Sequence, residues 1–61
     1  MKYKRFDVVE LKNDNKATIL DIKENNEYFV EIVDSNGTTI GNKIITNSEI
    51  KRVVYSKQKE R

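Results

Sequence analysis

The two ends of this chain combine basic and aromatic side chains, which are residue types that contact phosphates and stack on flat rings. Residues 1–6 carry a net charge of +3 and residues 51–61 carry +4, whereas residues 7–50 carry −5. Basic side chains that release counterions and aromatic faces that stack on bases together favour nucleic-acid binding. The candidate basic patch consists of Lys2, Lys4, Arg5, Lys51, Arg52 and Lys57, and the candidate aromatic contacts are Tyr3, Phe29 and Tyr55.

The same residues support two other interpretations. Terminal lysines commonly protect edge strands from pairing between molecules, and the acidic middle of the chain repels phosphates everywhere except at the ends. Exposed aromatic side chains such as Phe29 or Tyr55, beside an unprotected strand edge, favour docking of a partner protein. We therefore predict another protein as the partner, with nucleic acid as the alternative.

Catalysis and metal binding have little support in the sequence. General acid–base chemistry requires a carboxylate in a pocket, whereas the ten acids here fall mostly at turns or at outward strand positions. Asn13-Asp14-Asn15 offers oxygen ligands, but a calcium loop of the EF type needs several more and a bidentate glutamate further along. Cysteine and histidine, the usual zinc ligands, are both absent. We predict no enzymatic activity, no cofactor and no metal site.

Asparagine marks two hairpin turns between β-branched and aromatic runs. Asn25-Asn26 separates residues 17–24 from residues 27–34, and residues 34–37 separate that second run from residues 38–40. Asparagine and glycine tolerate the positive φ angles of tight hairpin turns. The sequence predicts two consecutive hairpins, with Asn36-Gly37 at the tip of the second and Gly37 at positive φ.

Five antiparallel strands follow from this pattern, at residues 6–11, 16–24, 27–34, 38–46 and 50–55, with a short 3-10 turn at 46–49 before the last strand. A bulge near Leu20 is needed because strict alternation cannot point Ile19 and Ile22 to the same side, and Gly41-Asn42 predicts a second bend or bulge. The predicted core consists of Val9, Leu11, Ile19, Ile22, Val30, Ile32, Ile40, Ile50 and Val53. The predicted fold is a small all-β SH3-like barrel over residues 1–56, in which first and last strands are neighbours, followed by a basic tail at 57–61.

Four segments resemble a known family: 6–11 (FDVVEL), 16–22 (KATILDI), 28–37 (YFVEIVDSNG) and 48–53 (SEIKRV). Together they are similar to the small bacterial SH3-like domains of the DUF4926 type, whose pattern is shared in part with KOW and other SH3-like modules. The resemblance covers about residues 6–54. It implies the SH3-like fold and brings no defined activity with it.

Size and residue usage complete the expectations. A chain of 61 residues forms one domain that buries only about 60% of its unfolded surface. Its longest apolar stretches are three residues long, far below the ~20 that span a bilayer, which predicts a cytoplasmic protein with no membrane partner. Nine lysines, three arginines, seven asparagines and seven isoleucines are typical of AT-rich coding in a low-GC bacterium or its mobile elements. The expected function is a small binding module, either a protein-interaction domain or an accessory or inhibitor domain. The sequence indicates no oligomeric state.

Overall fold

The computed structural model describes residues 3–56, which form five strands and one turn of 3-10 helix. The strands are β1 (Val8–Leu11), β2 (Lys16–Ile22), β3 (Glu27–Val33), β4 (Thr39–Thr46) and β5 (Ile50–Tyr55), with the 3-10 helix at Asn47–Glu49 before β5. The predicted all-β class and the predicted 3-10 turn before the last strand are confirmed. Lys2 and the predicted basic tail at 57–61 lie outside the described residues.

The strands form a single antiparallel sheet in the order β4-β3-β2-β1-β5. Strands β1 to β4 follow one another as a meander, and the 3-10 helix returns the chain so that β5 lies beside β1. This is the neighbour relation expected between the first and last strands of an SH3-like barrel. It brings Ser56, the last described residue, to Asp7, the residue before β1.

The first hairpin turns at Asn25 and Asn26, whose φ angles are 59° and 63°. The Glu27 N–H donates to the Glu24 carbonyl at 3.2 Å and closes the turn. Positive φ at both central residues defines a type I′ turn, whose twist matches that of the flanking strands. The first predicted hairpin is therefore confirmed in position and in chemistry.

The second hairpin also forms, and Gly37 has the predicted positive φ, at 86°. The Gly37 N–H donates to the Asp34 carbonyl at 3.0 Å, so the central residues of the turn are Ser35 and Asn36. Asp34 Oδ1 accepts the N–H groups of Asn36 and Thr38 at 2.9 and 3.0 Å. The tip thus lies one residue earlier than predicted, because Asp34 organises the loop through its side chain and Gly37 closes it.

Two register shifts determine which residues of β2 and β4 face the core. Leu20 has no partner between the pairs Ile19–Val30 and Asp21–Phe29, so Ile19 and Ile22 face the same side and the predicted bulge is confirmed. Ile40 has no partner on β3 because Gly41 pairs with Ile32 and Thr39 with Val33. This second bulge lies one residue before the predicted position, and Gly41 has φ of 155° there.

The core lies on one face of the curved sheet and contains most of the predicted residues. Its members are Tyr3, Val9, Leu11, Ala17, Ile19, Tyr28, Val30, Ile32, Ile45 and Ile50, with Ile22 partly buried against them. The predictions for Ile40 and Val53 were wrong, since these side chains are 61% and 40% exposed. The bulge turns Ile40 out of the core. Val53 lies on β5, an edge strand that has a neighbouring strand, β1, on one side only in the described sheet.

Candidate functional site

A buried carboxylate fixes the N-terminal turn to the end of β5. Asp7 is only 3% exposed, and its two carboxylate oxygens accept the Lys4 N–H at 3.0 Å and the Ser56 hydroxyl at 2.9 Å. The Asp7 N–H donates to the Lys4 carbonyl at 3.1 Å, which closes a tight turn over residues 4–7. Because buried carboxylates are stable only when hydrogen-bonded, these contacts define the local structure.

This turn holds Phe6 in an unusual conformation. Phe6 has φ of 69°, a left-handed geometry that costs a bulky L-residue on the order of 1–2 kcal/mol. Its N–H donates to the Ile19 carbonyl at 2.6 Å, which helps to hold the strained backbone, while half of its side chain remains exposed. The sequence pattern predicts Phe6 inside the first strand, at residues 6–11, whereas β1 begins at Val8. The feature of the sequence that could have predicted this turn is Asp7, because aspartate side chains commonly accept hydrogen bonds from nearby backbone N–H groups.

Three apolar residues of β5 are exposed next to this turn. Val53, Val54 and Tyr55 are 40%, 45% and 58% exposed, and Tyr55 pairs with Val8 of β1. The Asp7–Ser56 hydrogen bond joins the residue after Phe6 to the residue after Tyr55. We call Phe6, Val53, Val54 and Tyr55 the terminal apolar patch; Val53 pairs with Val9 and Tyr55 with Val8, so these two side chains lie on opposite faces of β5.

The described basic candidates lie in two pairs near opposite ends of β5. Lys4 and Arg5 belong to the turn that is bonded to Ser56, whereas Arg52 pairs with Glu10 and Lys51 precedes it. Arg52 and Ser56 are four positions apart in the chain, which corresponds to roughly 13 Å at the usual strand rise. Lys2 and Lys57 lie outside the described residues.

Both arginines of the candidate set form ion pairs. Arg5 contacts Asp21 at 3.1 Å, and Arg52 contacts Glu10 at 2.7 Å. Hydrogen bonding from Arg52 lowers the pKa of Glu10 below its ordinary value, and hydrogen bonding from Arg5 does the same for the pKa of Asp21. These arginines are therefore partly neutralised before any ligand arrives, while the side chains of Lys4 and Lys51 are exposed and take no part in the ion pairs among residues 3–56.

The Arg52–Glu10 pair gives a pH-dependent prediction. We expect Arg52→Gln to raise the pKa of Glu10 toward 4.5, because the lowering comes chiefly from the Arg52 hydrogen bond. A carboxyl group with a lowered pKa in the folded state stabilises the fold above its unfolded pKa, and this contribution disappears as pH falls through the folded value. A carbon-detected NMR titration of the Glu10 carboxyl measures the effect. Asp21, which is paired with Arg5, serves as the control, and its pKa should be the same in the variant as in the wild type. A wild-type Glu10 pKa at the ordinary value for glutamate would contradict the pairing with Arg52.

The aromatic candidates occupy three different environments. Tyr3 belongs to the core, where its ring packs edge-on against Tyr28 with centroids 5.7 Å apart, and the burial of Tyr28 raises its pKa. Phe29 is partly buried on the outer face of β3, in a row with Asp21 and Ile44. Tyr55 is the most exposed of the three, so its ring is the best placed of this set to contact a partner.

Several concave surfaces are present, but no metal-binding group is found among residues 3–56. A cavity of about 280 Å³ lies between β4, the β1–β2 loop and the 3-10 helix, and a neighbouring one of about 210 Å³ shares Leu11, Asn13 and Glu49 with it. A shallow depression of about 550 Å³ lies at the first hairpin, lined in part by Ile22 and Ile44. No three candidate metal ligands cluster within the described residues, and no helix there is long and apolar enough to cross a membrane.

The fold and this surface define a small all-β protein with an exposed apolar end. No protein-family model, curated protein or solved structure matches the chain.

Proposed function

We propose that this protein is a non-enzymatic binding module that docks on another protein through the terminal apolar patch. The observation that supports the proposal is that four large apolar side chains, each at least 40% exposed, occur in the turn before β1 and in the last three residues of β5, two segments that the Asp7–Ser56 hydrogen bond joins. Grouped apolar side chains in water mark interaction surfaces, and aromatic residues supply much of the binding energy at such surfaces. Phe6 and Tyr55 are the two anchors of this interface.

The geometry of the patch favours a preformed interface. The Asp7 carboxylate holds both the turn that carries Phe6 and the residue that follows Tyr55. Anchors that are already fixed in the free protein lose less conformational entropy on binding. The backbone strain at Phe6 fits this interpretation, because strained conformations persist where the surrounding structure imposes them, and often at binding sites.

The charges around the patch indicate the chemistry of the partner. Lys4 and Arg5 lie in the same turn as Phe6, and Lys4 is outside the ion pairs among residues 3–56. An apolar surface with acidic residues at its rim is the complementary partner. We place this module in the cytoplasm of a low-GC bacterium, encoded by the bacterium or by one of its mobile elements. There it acts as an accessory or inhibitor domain by occupying a surface of its partner. The resemblance to SH3-like domains of the DUF4926 type stays a prediction.

Nucleic-acid binding is the second candidate, because Lys4 and Lys51 expose their side chains and both ends of the chain are basic. Three observations give it less support. Arg5 and Arg52 are already paired with carboxylates, Tyr3 is buried, and the basic pairs are separated along β5. Of the aromatic residues close to Lys4 and Arg5 in the fold, only Phe6 and Tyr55 are exposed enough to stack on bases.

Affinity capture with matched variants tests the proposed function. We expect wild-type protein to retain a specific partner from host extract and the double variant Phe6→Ser, Tyr55→Ser to lose it, since aromatic anchors dominate interfaces of this kind. Ile44→Ser is the matched control, because Ile44 is half exposed on β4 and lies outside the patch. Unchanged capture by the double variant would contradict the proposal.

Titration with oligonucleotides separates the two candidates. If nucleic acid is the ligand, fluorescence changes with random single- and double-stranded oligonucleotides should appear at low salt and weaken steeply as salt rises. Lys4→Glu and Lys51→Glu should then weaken binding to all sequences alike. Binding with these properties would replace the protein-partner proposal with the nucleic-acid one.

A further inference from the structure

Lys43 occupies a strand position that faces the core. On β4 it pairs with Val30, and two residues later Ile45 pairs with Tyr28. Val30, Ile45 and Tyr28 are all buried, so alternation places Lys43 on the same face as these core residues. A lysine in such a position is costly unless its ammonium group reaches water or a partner. Its side chain is exposed and lines the cavity of about 280 Å³.

The cavity has an apolar side and a polar side. Leu11 and Ile32 are core residues that also line it, and the bulge in β4 adds Ile40 to the same wall. Asn13, Asn15 and Lys43 contribute polar groups. The outward turn of Ile40, which removes this residue from the core, thus gives the cavity an aliphatic wall.

The polar and charged groups that line this cavity differ in whether they already have hydrogen-bond or ion-pair partners. Glu49 lines it too, but its carboxylate accepts the Thr46 N–H at 3.1 Å and the Thr46 hydroxyl at 3.4 Å within a capping box. Asn13 Oδ1 accepts the Asn15 N–H at 3.0 Å, which leaves the amide NH₂ of Asn13 as a donor. Lys43 is not a member of the three ion pairs among residues 3–56. The cavity therefore offers an unengaged cation and amide donors beside aliphatic side chains.

We propose that this cavity binds an aliphatic carboxylate. The alkyl group packs against Leu11, Ile32 and Ile40, and the carboxylate accepts a charge-assisted hydrogen bond from Lys43. Sites for drug-sized ligands start at about 300 Å³, so the available volume suits a single branched aliphatic chain. Such a group is found both at the C-terminal residue of a polypeptide and in a free short-chain acid. This site is separate from the terminal apolar patch and does not depend on the proposed function.

An NMR titration of the full chain with small probes tests the assignment. We expect N-acetyl-leucine to shift the amide signals of the cavity residues with a Kd near about 1 mM, the range expected for a ligand of this size. N-acetyl-leucinamide, which lacks the carboxylate, should bind at least about tenfold more weakly. Tighter binding of N-acetyl-leucine than of isovalerate would assign the site to C-terminal residues, and the reverse would assign it to free acids.

Variants identify the role of Lys43. Lys43→Gln should weaken N-acetyl-leucine binding at least about tenfold, and Lys43→Arg should preserve most of it. Lys16→Gln is the matched control, because Lys16 is exposed on β2 and pairs with Glu10 on the other face of the sheet. Unfolding midpoints of the three variants establish that each one is folded. The proposal is overturned if the carboxylates cause no saturable shifts at the cavity, or if the amide probe or the Lys43→Gln variant binds equally well. Lys43 would then be a charge that protects an edge strand.

Discussion

Replacing Ile19 with alanine is expected to lower the free energy of unfolding by about 2–5 kcal/mol. Ile19 is completely buried and pairs with Val30 at the centre of the sheet. The substitution removes three methyl or methylene groups and leaves a cavity that the surrounding strands cannot fill. Because small domains are stable by only about 5–15 kcal/mol, a large part of the fold's stability would be lost. Urea denaturation monitored by circular dichroism measures the change in the free energy of unfolding.

The same substitution at Ile40 is the control. The sequence pattern placed both isoleucines in the core, but the bulge in β4 leaves Ile40 61% exposed. Ile40→Ala should therefore change the free energy of unfolding by no more than about 0.5 kcal/mol. Equal losses in the two variants would show that the bulge does not turn Ile40 away from the core.

Replacing Gly37 with valine is expected to destabilise the protein by about 1–3 kcal/mol, which is the cost of holding a residue in a disfavoured backbone conformation. Gly37 has φ of 86°, and a β-carbon built there meets nothing within 4 Å. The penalty therefore comes from the backbone of residue 37 and not from a clash with neighbouring residues. Gly37→Asn should cost less, because asparagine tolerates positive φ better than a β-branched residue does.

Thr38→Val is the control for this turn. It introduces the same side chain one residue later, at an exposed position whose φ is not positive. We expect its free energy of unfolding to match that of the wild type within about 0.5 kcal/mol. A Gly37→Val variant as stable as Thr38→Val would show that the turn readily adopts another conformation.

The parts of the fold that the sequence predicted are governed by local chemistry. Asn25-Asn26 and Gly37 supply positive φ without help from distant residues, so both hairpins could be placed. The bulge at Leu20 was predictable because Ile19 and Ile22 otherwise face opposite sides of the strand. Once the meander was predicted, the return of β5 to β1 followed from the expected fold.

The side-chain contacts that it missed join residues far apart in the chain. The turn that presents Phe6 is held by Asp7, whose carboxylate also binds Ser56, 49 residues later. The pairing of Arg52 with Glu10 joins residues 42 apart and depends on the register between β1 and β5. Neither contact leaves a local pattern, so the sequence alone suggested one continuous basic patch and did not indicate the terminal apolar patch.

The interruptions of register in β4 and β5 determine how a partner can be recognised. These are the outermost strands of the described sheet, and each is irregular: Ile40 lacks a partner in β4, and Lys51 and Val54 lack partners in β5. A regular edge would accept almost any extended chain through backbone hydrogen bonds, whereas a bulged edge resists such addition. Association must then rely on the shape and chemistry of side chains, which differ from one protein to the next. The irregular edges thus disfavour unselective strand addition and favour partners that match the side chains of this protein.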